Sequence, residues 1–199
     1  MSKKIVAIVG SYRKGRTIDN ITDQILLSAK EQGADVSKIY LLDKHVEFCT
    51  NCRLCNKEPG TQRGKCIHKD DVDSILNAID HADGIIIAAP VNFFNVNAIT
   101  RRFMERLVCY AYWPWGTKGG PVTRNKKFNK TAVLVTSTAM PGFLIPLFTG
   151  AVRALKATAR VIGAKPVGIM CAGFSAVDEK QNLSNSVIKK ARKLGKKLI

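Results

Sequence analysis

No stretch of the 199 residues stays apolar for anything near the ~20 residues a bilayer-spanning helix requires, which excludes a helical membrane protein. No signal peptide is expected either: the apolar part of the start, residues 5–9, is too short and gives way at once to Gly10. These absences predict a soluble, cytoplasmic protein with no membrane partner. Carboxylates are missing over a long stretch, with none between Glu105 and Asp178. Residues 106–199 carry 17 basic and 2 acidic side chains, whereas residues 1–105 carry 15 and 13. The formal charge of +17 therefore sits mostly in the second half, where it suits either an anionic partner or a solvated lysine-rich surface. What is present is ordinary. With 46% hydrophobic and 24% charged residues, the composition is that of a globular chain with a substantial core. No repeat or linker divides it, so one domain over 1–199 is expected.

Five short apolar runs, at residues 3–9, 36–42, 84–90, 131–136 and 165–171, read as strands. Between them lie helical periods. Ile18, Ile21, Ile25 and Ala29 precede the stop signal Gly33. Val72, Ile75, Leu76 and Ile79 follow the acidic pair Asp70 and Asp71, which suits a helix dipole. Further helices are expected over 98–110, about 145–162 and about 179–198, with 44–69 and 113–130 irregular. Strands that are apolar throughout and alternate with helices imply an α/β fold, an open and mostly parallel sheet covered on both faces. In such a sheet ligands bind beyond the carboxyl ends of the strands, here at the loops beginning with Gly10, Pro90, Ser137 and Cys171.

The first of these loops, residues 10–17, brings two glycines, the hydroxyls of Ser11 and Thr17, and Arg13, Lys14 and Arg16 to a helix N-terminus. Free N–H groups and the dipole there favour an anion, and arginine binds phosphate bidentately. The spacing nearly matches the nucleotide P-loop, but Arg16 replaces its lysine. The strands ending Ala-Ala-Pro90 and Val-Thr-Ser137 carry no aspartate for magnesium. A dinucleotide G-x-G-x-x-G is absent, as are the acidic residues a receiver domain needs after its first strand. A flavin mononucleotide site remains, with residues 90–96 offering backbone groups and aromatic faces to a flat ring.

Three segments, Gly10-Ser-x-Arg13, Ala89-Pro-Val-x-Phe-Phe94 and Arg102-Phe-Met-Glu-Arg106, together resemble the NADPH-dependent FMN reductase family of flavodoxin-like proteins. The cysteine-bearing connection leading to Lys69-Asp-Asp71 resembles the iron–sulfur flavoprotein branch of that family and its cluster-less relatives. The resemblance covers nearly the whole chain. It implies a three-layer sandwich around a five-stranded parallel sheet of order 2-1-3-4-5. It also implies that Ser11, Arg13, Arg16 and Thr17 hold the FMN phosphate. Pro90, Val91, Asn92, Phe93, Phe94 and Asn95 would line the isoalloxazine, and Thr136, Ser137 and Thr138 would complete a third wall. A homodimer or homotetramer is implied as well, assembled through the helix carrying Arg102, Phe103 and Arg106, and the aromatic segment 110–115 is apolar enough to contribute.

Four of the six cysteines, Cys49, Cys52, Cys55 and Cys66, fall in one connection. In a cytoplasmic protein this argues against structural disulfides. Four thiolates suit a [4Fe–4S] cluster or a tetrahedral zinc, and free thiols are the third reading. The connection leaves the carboxyl end of the second strand, the edge expected to hold the flavin. Cys109 and Cys171 read as packing thiols, and His45, His68 and His81 as surface or capping residues.

The expected activity is FMN-dependent oxidation–reduction, with NAD(P)H as donor and a small molecule or redox protein as acceptor. No catalytic side chain is required, because the flavin carries the chemistry. The alternative is a non-enzymatic carrier that docks on acidic redox proteins such as ferredoxin. Nucleic acid is not expected, since the basic run at residues 189–197 lacks interleaved aromatics and any docking motif.

Overall fold

The computed structural model describes residues 2–177 and 182–199. Five parallel strands form its centre: β1 (Lys4–Val9), β2 (Asp35–Tyr40), β3 (Gly84–Asn92), β4 (Lys130–Ser137) and β5 (Ala164–Ala172). Their order is 2-1-3-4-5, as expected for a flavodoxin-like sheet. Five helices cover it: α1 (Thr17–Glu31), α2 (Val72–Asp80), α3 (Ala98–Arg106), α4 (Ala151–Val161) and α5 (Asn185–Lys196).

The period-2 alternation of the strands separates two cores. Val6, Ile8, Ile85, Ile87 and Leu134 face the layer that α2, α3 and α4 build with Ile75, Ile79, Phe103 and Leu155. Ile5, Ala7, Ile86, Val133 and Val135 face α1 and α5 through Ile18, Ile21, Ile25 and Leu194. Burying a side chain such as Ile21 or Ile25 completely contributes about 1.5–3 kcal/mol, so both helices are held mainly by these stripes. Where α5 crosses α1, Gly195 lies so near that a Cβ there would come within 2.4 Å of the Ile25 carbonyl. The edge strand β5 carries Pro166, and its register with β4 slips by one residue between Ala132 and Val133. A bulge on an edge strand is where a residue without an N–H is tolerated.

Three expected elements differ. The helix over 98–110 stops at Arg106 and tightens to a 3-10 turn over Leu107–Tyr110. The helix over 145–162 is interrupted after the single turn Ile145–Phe148, because the Gly150 N–H donates to the Phe94 carbonyl (2.8 Å) and the Thr149 hydroxyl accepts from Ala151. The last helix begins at Asn185, capped by Ser184; its expected start at 179 lies outside the described residues, as do Asp178 and Glu179. No helix among the described residues is long and apolar enough to cross a membrane.

Candidate functional site

Because the sheet is parallel, the loops after β1, β3 and β4 leave neighbouring strands at one edge. Val9 pairs with Ala88 and Pro90 with Ser137. After β1, the Gly10 N–H donates to the Ala88 carbonyl at 2.8 Å. A Cβ on Gly10 would lie 1.9 Å from the Thr100 hydroxyl, so only glycine fits against α3. Asn97 donates its amide to the Gly10 carbonyl and accepts from Thr100 at 2.6 Å, while the Tyr12 hydroxyl accepts from the Ile99 N–H at 3.2 Å. The first loop is thus tied to the start of α3. Sequence reading missed Asn97 and Thr100; their only signal is an amide residue immediately before a helical period.

Within the loop, buried Ser11 accepts from the Arg13 N–H at 3.1 Å, a tight turn that leaves the Arg13 side chain exposed. Arg16 occupies the N-cap of α1 in an extended conformation with no side-chain cap, and Thr17 is buried at the first helical position. The expected cation group is smaller than three: Lys14 turns away to pair with Asp43 (2.6 Å) and lies over the Tyr40 ring. Asp19, also missed, accepts from the Gly15 N–H (2.6 Å), Lys38 (2.8 Å) and the Tyr40 hydroxyl (2.8 Å). Burial opposes its charge, but these donors prevail and hold its carboxyl below the usual range. Asp19 therefore stiffens the loop from below.

After β3, Val91 pairs with Val96 and Asn92 with Asn95, leaving Phe93 and Phe94 as a two-residue hairpin tip. Both have positive φ, 46° and 63°, a geometry that glycine and asparagine adopt and phenylalanine resists. The two rings meet edge to face and stand 96% and 65% exposed. Strain of about 1–3 kcal/mol per residue kept at a ligand edge points to a task for the rings. Phe93→Asn/Phe94→Gly is accordingly expected to stabilise the FMN-free protein by about 1–2 kcal/mol and to weaken FMN binding. Chemical unfolding and FMN titration of the same variant check both signs.

After β4, Thr136 is fully buried and its hydroxyl has no partner among the described residues. Ser137 and Thr138 are buried beside it, and the Thr138 N–H is held by the Ala172 carbonyl at 3.0 Å. An orphaned hydroxyl near the end of a central strand, opposite Ala89 of the strand that leads into the aromatic hairpin, fits a polar planar ligand such as FMN. Cys171, expected as a packing thiol, is only half-buried and borders a cavity with Thr17 and Phe174; β5 is an edge strand and cannot cover it.

The four cysteines of the long connection converge: Cys49, Cys52, Cys55 and Cys66 border one small pocket together with His68 and Arg106. Burial, and then the neighbouring Cys66, Cys49 and Cys52, push the Cys55 thiol up to about 11. Asn51 and Arg53 have positive φ, which curls the backbone between the first three cysteines. Among the described residues, however, no three His, Cys, Asp or Glu side chains stand together as a metal-holding group. The pocket gathers the donor set without closing it on a metal. The His68 Nε2 is buried there with no partner among the described residues; His81 caps its helix, its Nδ1–H donating to the Asn77 carbonyl (2.8 Å).

Helix α3 turns one face into the core and leaves Arg101 and Glu105 exposed on the other. Phe103 is core, and Arg106 is buried with Asp70 in an ion pair whose side chains are each 1% exposed. Arg106 donates to both Asp70 oxygens (2.5 and 3.2 Å), to the Glu47 carbonyl (2.8 Å) and to Cys66 Sγ (3.3 Å). The aromatic segment is divided between the core and the surface, with Trp115 68% exposed. Tyr110 is buried and donates to Asp80 (2.7 Å), and Arg53 lies between the Trp113 and Trp115 rings at 3.5 and 4.1 Å. Arg124 is buried too, donating to the carbonyls of Glu58, Gly60 and Ala111. Segment 113–130 therefore packs on the cysteine connection.

A parallel sheet of order 2-1-3-4-5 with a glycine- and arginine-bearing first loop and a strained aromatic hairpin at one edge is that of a flavodoxin-like, FMN-dependent oxidoreductase. The chain belongs to the NADPH-dependent FMN reductase family, whose profile matches residues 3–145. An iron–sulfur flavoprotein of Archaeoglobus fulgidus is 28% identical over 195 residues, which cover 98% of this chain and 78% of that protein. One of Methanocaldococcus jannaschii is 36% identical over 103 residues, 52% of this chain and about half (51%) of the relative. Among solved structures, an azoreductase from Bacillus anthracis superimposes with a TM-score of 0.70 at 16% identity, over 98% of this chain and 99% of that one. An NAD(P)H:quinone oxidoreductase from Methanothermobacter marburgensis gives 0.68 at 16% identity over 100% of both chains. These likenesses show the fold.

Proposed function

We propose that the chain, as one domain, binds FMN at the shared edge of β1, β3 and β4, takes electrons from NAD(P)H and delivers them to a small-molecule acceptor or a redox protein. The observation that supports this most is the meeting of the phosphate-type loop with the strained Phe93–Phe94 hairpin through α3, by way of Gly10, Asn97 and Thr100. When bound, FMN supplies the two-electron chemistry. The protein groups do the rest. Ser11 and Thr17 donate hydroxyls to the phosphate, and Arg13 and Arg16 neutralise it. Pro90, Val91, Asn92 and Asn95 hold the ring edge by backbone and amide groups, and Phe93 and Phe94 exclude water from its face. Thr136 gains the partner it lacks, with Ser137 and Thr138 closing the third side.

The second reading concerns the cysteine pocket. We propose that Cys49, Cys52, Cys55 and Cys66 close on a [4Fe–4S] cluster, a reading supported by their common pocket and by the names of the relatives. One experiment addresses both readings: the absorption spectrum and iron content of protein purified without oxygen, followed by NAD(P)H oxidation with a quinone. Resolved flavin bands and quinone-dependent turnover are expected, with broad absorption and bound iron for the cluster. A colourless protein that takes up no FMN defeats the first reading. Bound FMN without turnover favours the non-enzymatic carrier, and iron-free protein after reconstitution defeats the second. A homo-oligomer is supported by exposed Phe143 and Phe174 at the same edge.

A further inference from the structure

Cys109 has no task in the readings above. The 3-10 turn Leu107–Tyr110 that ends α3 carries it into the core, where it is 1% exposed. Its surroundings are nevertheless not those of a packing thiol alone. The Gly64 N–H donates to the Cys109 carbonyl at 2.9 Å, which fastens the cysteine connection to this turn. Cys66 follows Gly64 by two residues, so its backbone lies no more than about 7 Å of chain from that bond. Cys66 and Cys109 then border one cavity of about 270 Å3.

Cys66 therefore faces two spaces. One is the small pocket it shares with Cys49, Cys52 and Cys55; the other is the cavity it shares with Cys109. Arg106 Nη2 donates to its Sγ at 3.3 Å and holds the sulfur between them. The two spaces differ in access. The four-cysteine pocket offers about 10 Å3, barely the room of one water, whereas the cavity admits several small molecules. Lys65 and Lys69 also line the cavity, lie exposed, and pair with no carboxylate among the described residues. Cations beside a half-exposed cysteine favour its thiolate, the form that reacts with oxidants.

We propose that Cys66 and Cys109 form a disulfide when the metal-free chain meets hydrogen peroxide. The Cys66 thiolate attacks one peroxide oxygen, and the departing hydroxide takes up the proton that Cys66 had lost. This leaves a sulfenic acid at Cys66. The Cys109 sulfur then attacks the Cys66 sulfur, the S–O bond breaks, and the hydroxyl leaves as water with the Cys109 proton. Two thiols and one peroxide become one disulfide and two waters. Cys55 touches the same turn, since a Cβ on Gly64 would overlap the Cys55 carbonyl, but it does not border the cavity through which peroxide arrives. Cys171 ends β5, the edge strand opposite β2, and is out of reach. The bridge needs no cluster, but it leaves only three thiols in the four-cysteine pocket. That consequence rests on the cluster reading: an oxidised chain is kept empty until it is reduced.

The test treats the full chain, stripped of iron and zinc by a chelator, with increasing hydrogen peroxide. The remaining thiols are alkylated in urea, and the unreduced peptides are analysed by mass spectrometry. A Cys66 peptide joined to a Cys109 peptide is expected, two hydrogens lighter than the sum, with Cys49, Cys52, Cys55 and Cys171 alkylated. Dithiothreitol should release it. In Cys109→Ser, Cys66 should stop at the sulfenic acid, which dimedone captures. In Cys66→Ser, Cys109 should stay reduced at the same peroxide concentration. A bridge from Cys66 to Cys49, Cys52 or Cys55 overturns the proposal. So does Cys109 that remains fully alkylated after Cys66 has been consumed. Iron uptake on reconstitution reads the consequence separately, and should be lost in the bridged protein and regained on reduction. Reduced parent protein that takes up no iron defeats the cluster reading alone, and the peptide map still decides the bridge.

Discussion

Arg106→Met is expected to destabilise the protein by about 3–5 kcal/mol, the penalty for leaving one partner of a buried ion pair unmatched. The pair does more than neutralise itself. Asp70 also accepts from the Glu47 and Val72 N–H groups, and Arg106 reaches the Glu47 carbonyl and Cys66 Sγ. Both ends of the cysteine connection are thus fastened to the last turn of α3. In urea, Arg106→Met should unfold at a lower midpoint, and its Cys66 should be alkylated faster than in the parent. Arg106→Met/Asp70→Leu should recover most of the loss, because neither charge is then stranded. Burial opposes both charges, yet Asp70 is held below its usual range and Arg106 above, the directions a working pair requires. The contribution of Asp70 is therefore complete above its unfolded value near 3.8 and fades as pH falls through its lower folded value. An unchanged midpoint together with an unchanged alkylation rate would show that the pair fastens nothing.

Arg13→Ala is expected to weaken FMN binding about 10- to 150-fold, the equivalent of one charge-assisted hydrogen bond of about 1.5–3 kcal/mol. Ser11→Ala should act in the same direction, since the Ser11 oxygen both faces the loop and holds the Arg13 N–H at 3.1 Å. Lys14→Ala, at the position next to Arg13 and equally cationic, should change little, because Lys14 is committed to Asp43 at 2.6 Å. Fluorescence titration with FMN measures all three. Riboflavin, which lacks the phosphate, is the control, and its affinity should be the same in every variant. An equal loss in Lys14→Ala, or a riboflavin loss matching that of FMN, would remove the loop from its assigned role.

Much of this architecture is visible in one dimension. The runs at β1, β3 and β4 are apolar throughout because both faces of a central parallel strand are covered, and Gly10 with Ser11 and Thr17 marks a tight loop at the start of a helix. The helix break at Thr149–Gly150 was invisible, because its cause is the carbonyl of Phe94, more than fifty residues earlier. Asp19 reads as an ordinary first-turn acid until Lys38 and Tyr40 arrive from β2.

Arg106 shows the same division most plainly. A helical wheel puts it on the apolar stripe of Ile99 and Phe103, where a cation alone has no place; its burial became affordable only when Asp70, 36 residues away, was brought to it. The sequence by itself determined which segments are strands, which edge bears the loops, and which chemistry those loops suit, because periodicity and local turn preference are written residue by residue. Tertiary structure decided which cations are spent inside the chain and which, like Arg13 and the face of α4, still point outward. Charge has no local partner code: an ion pair is made by distance in space, and the fold alone sets that distance.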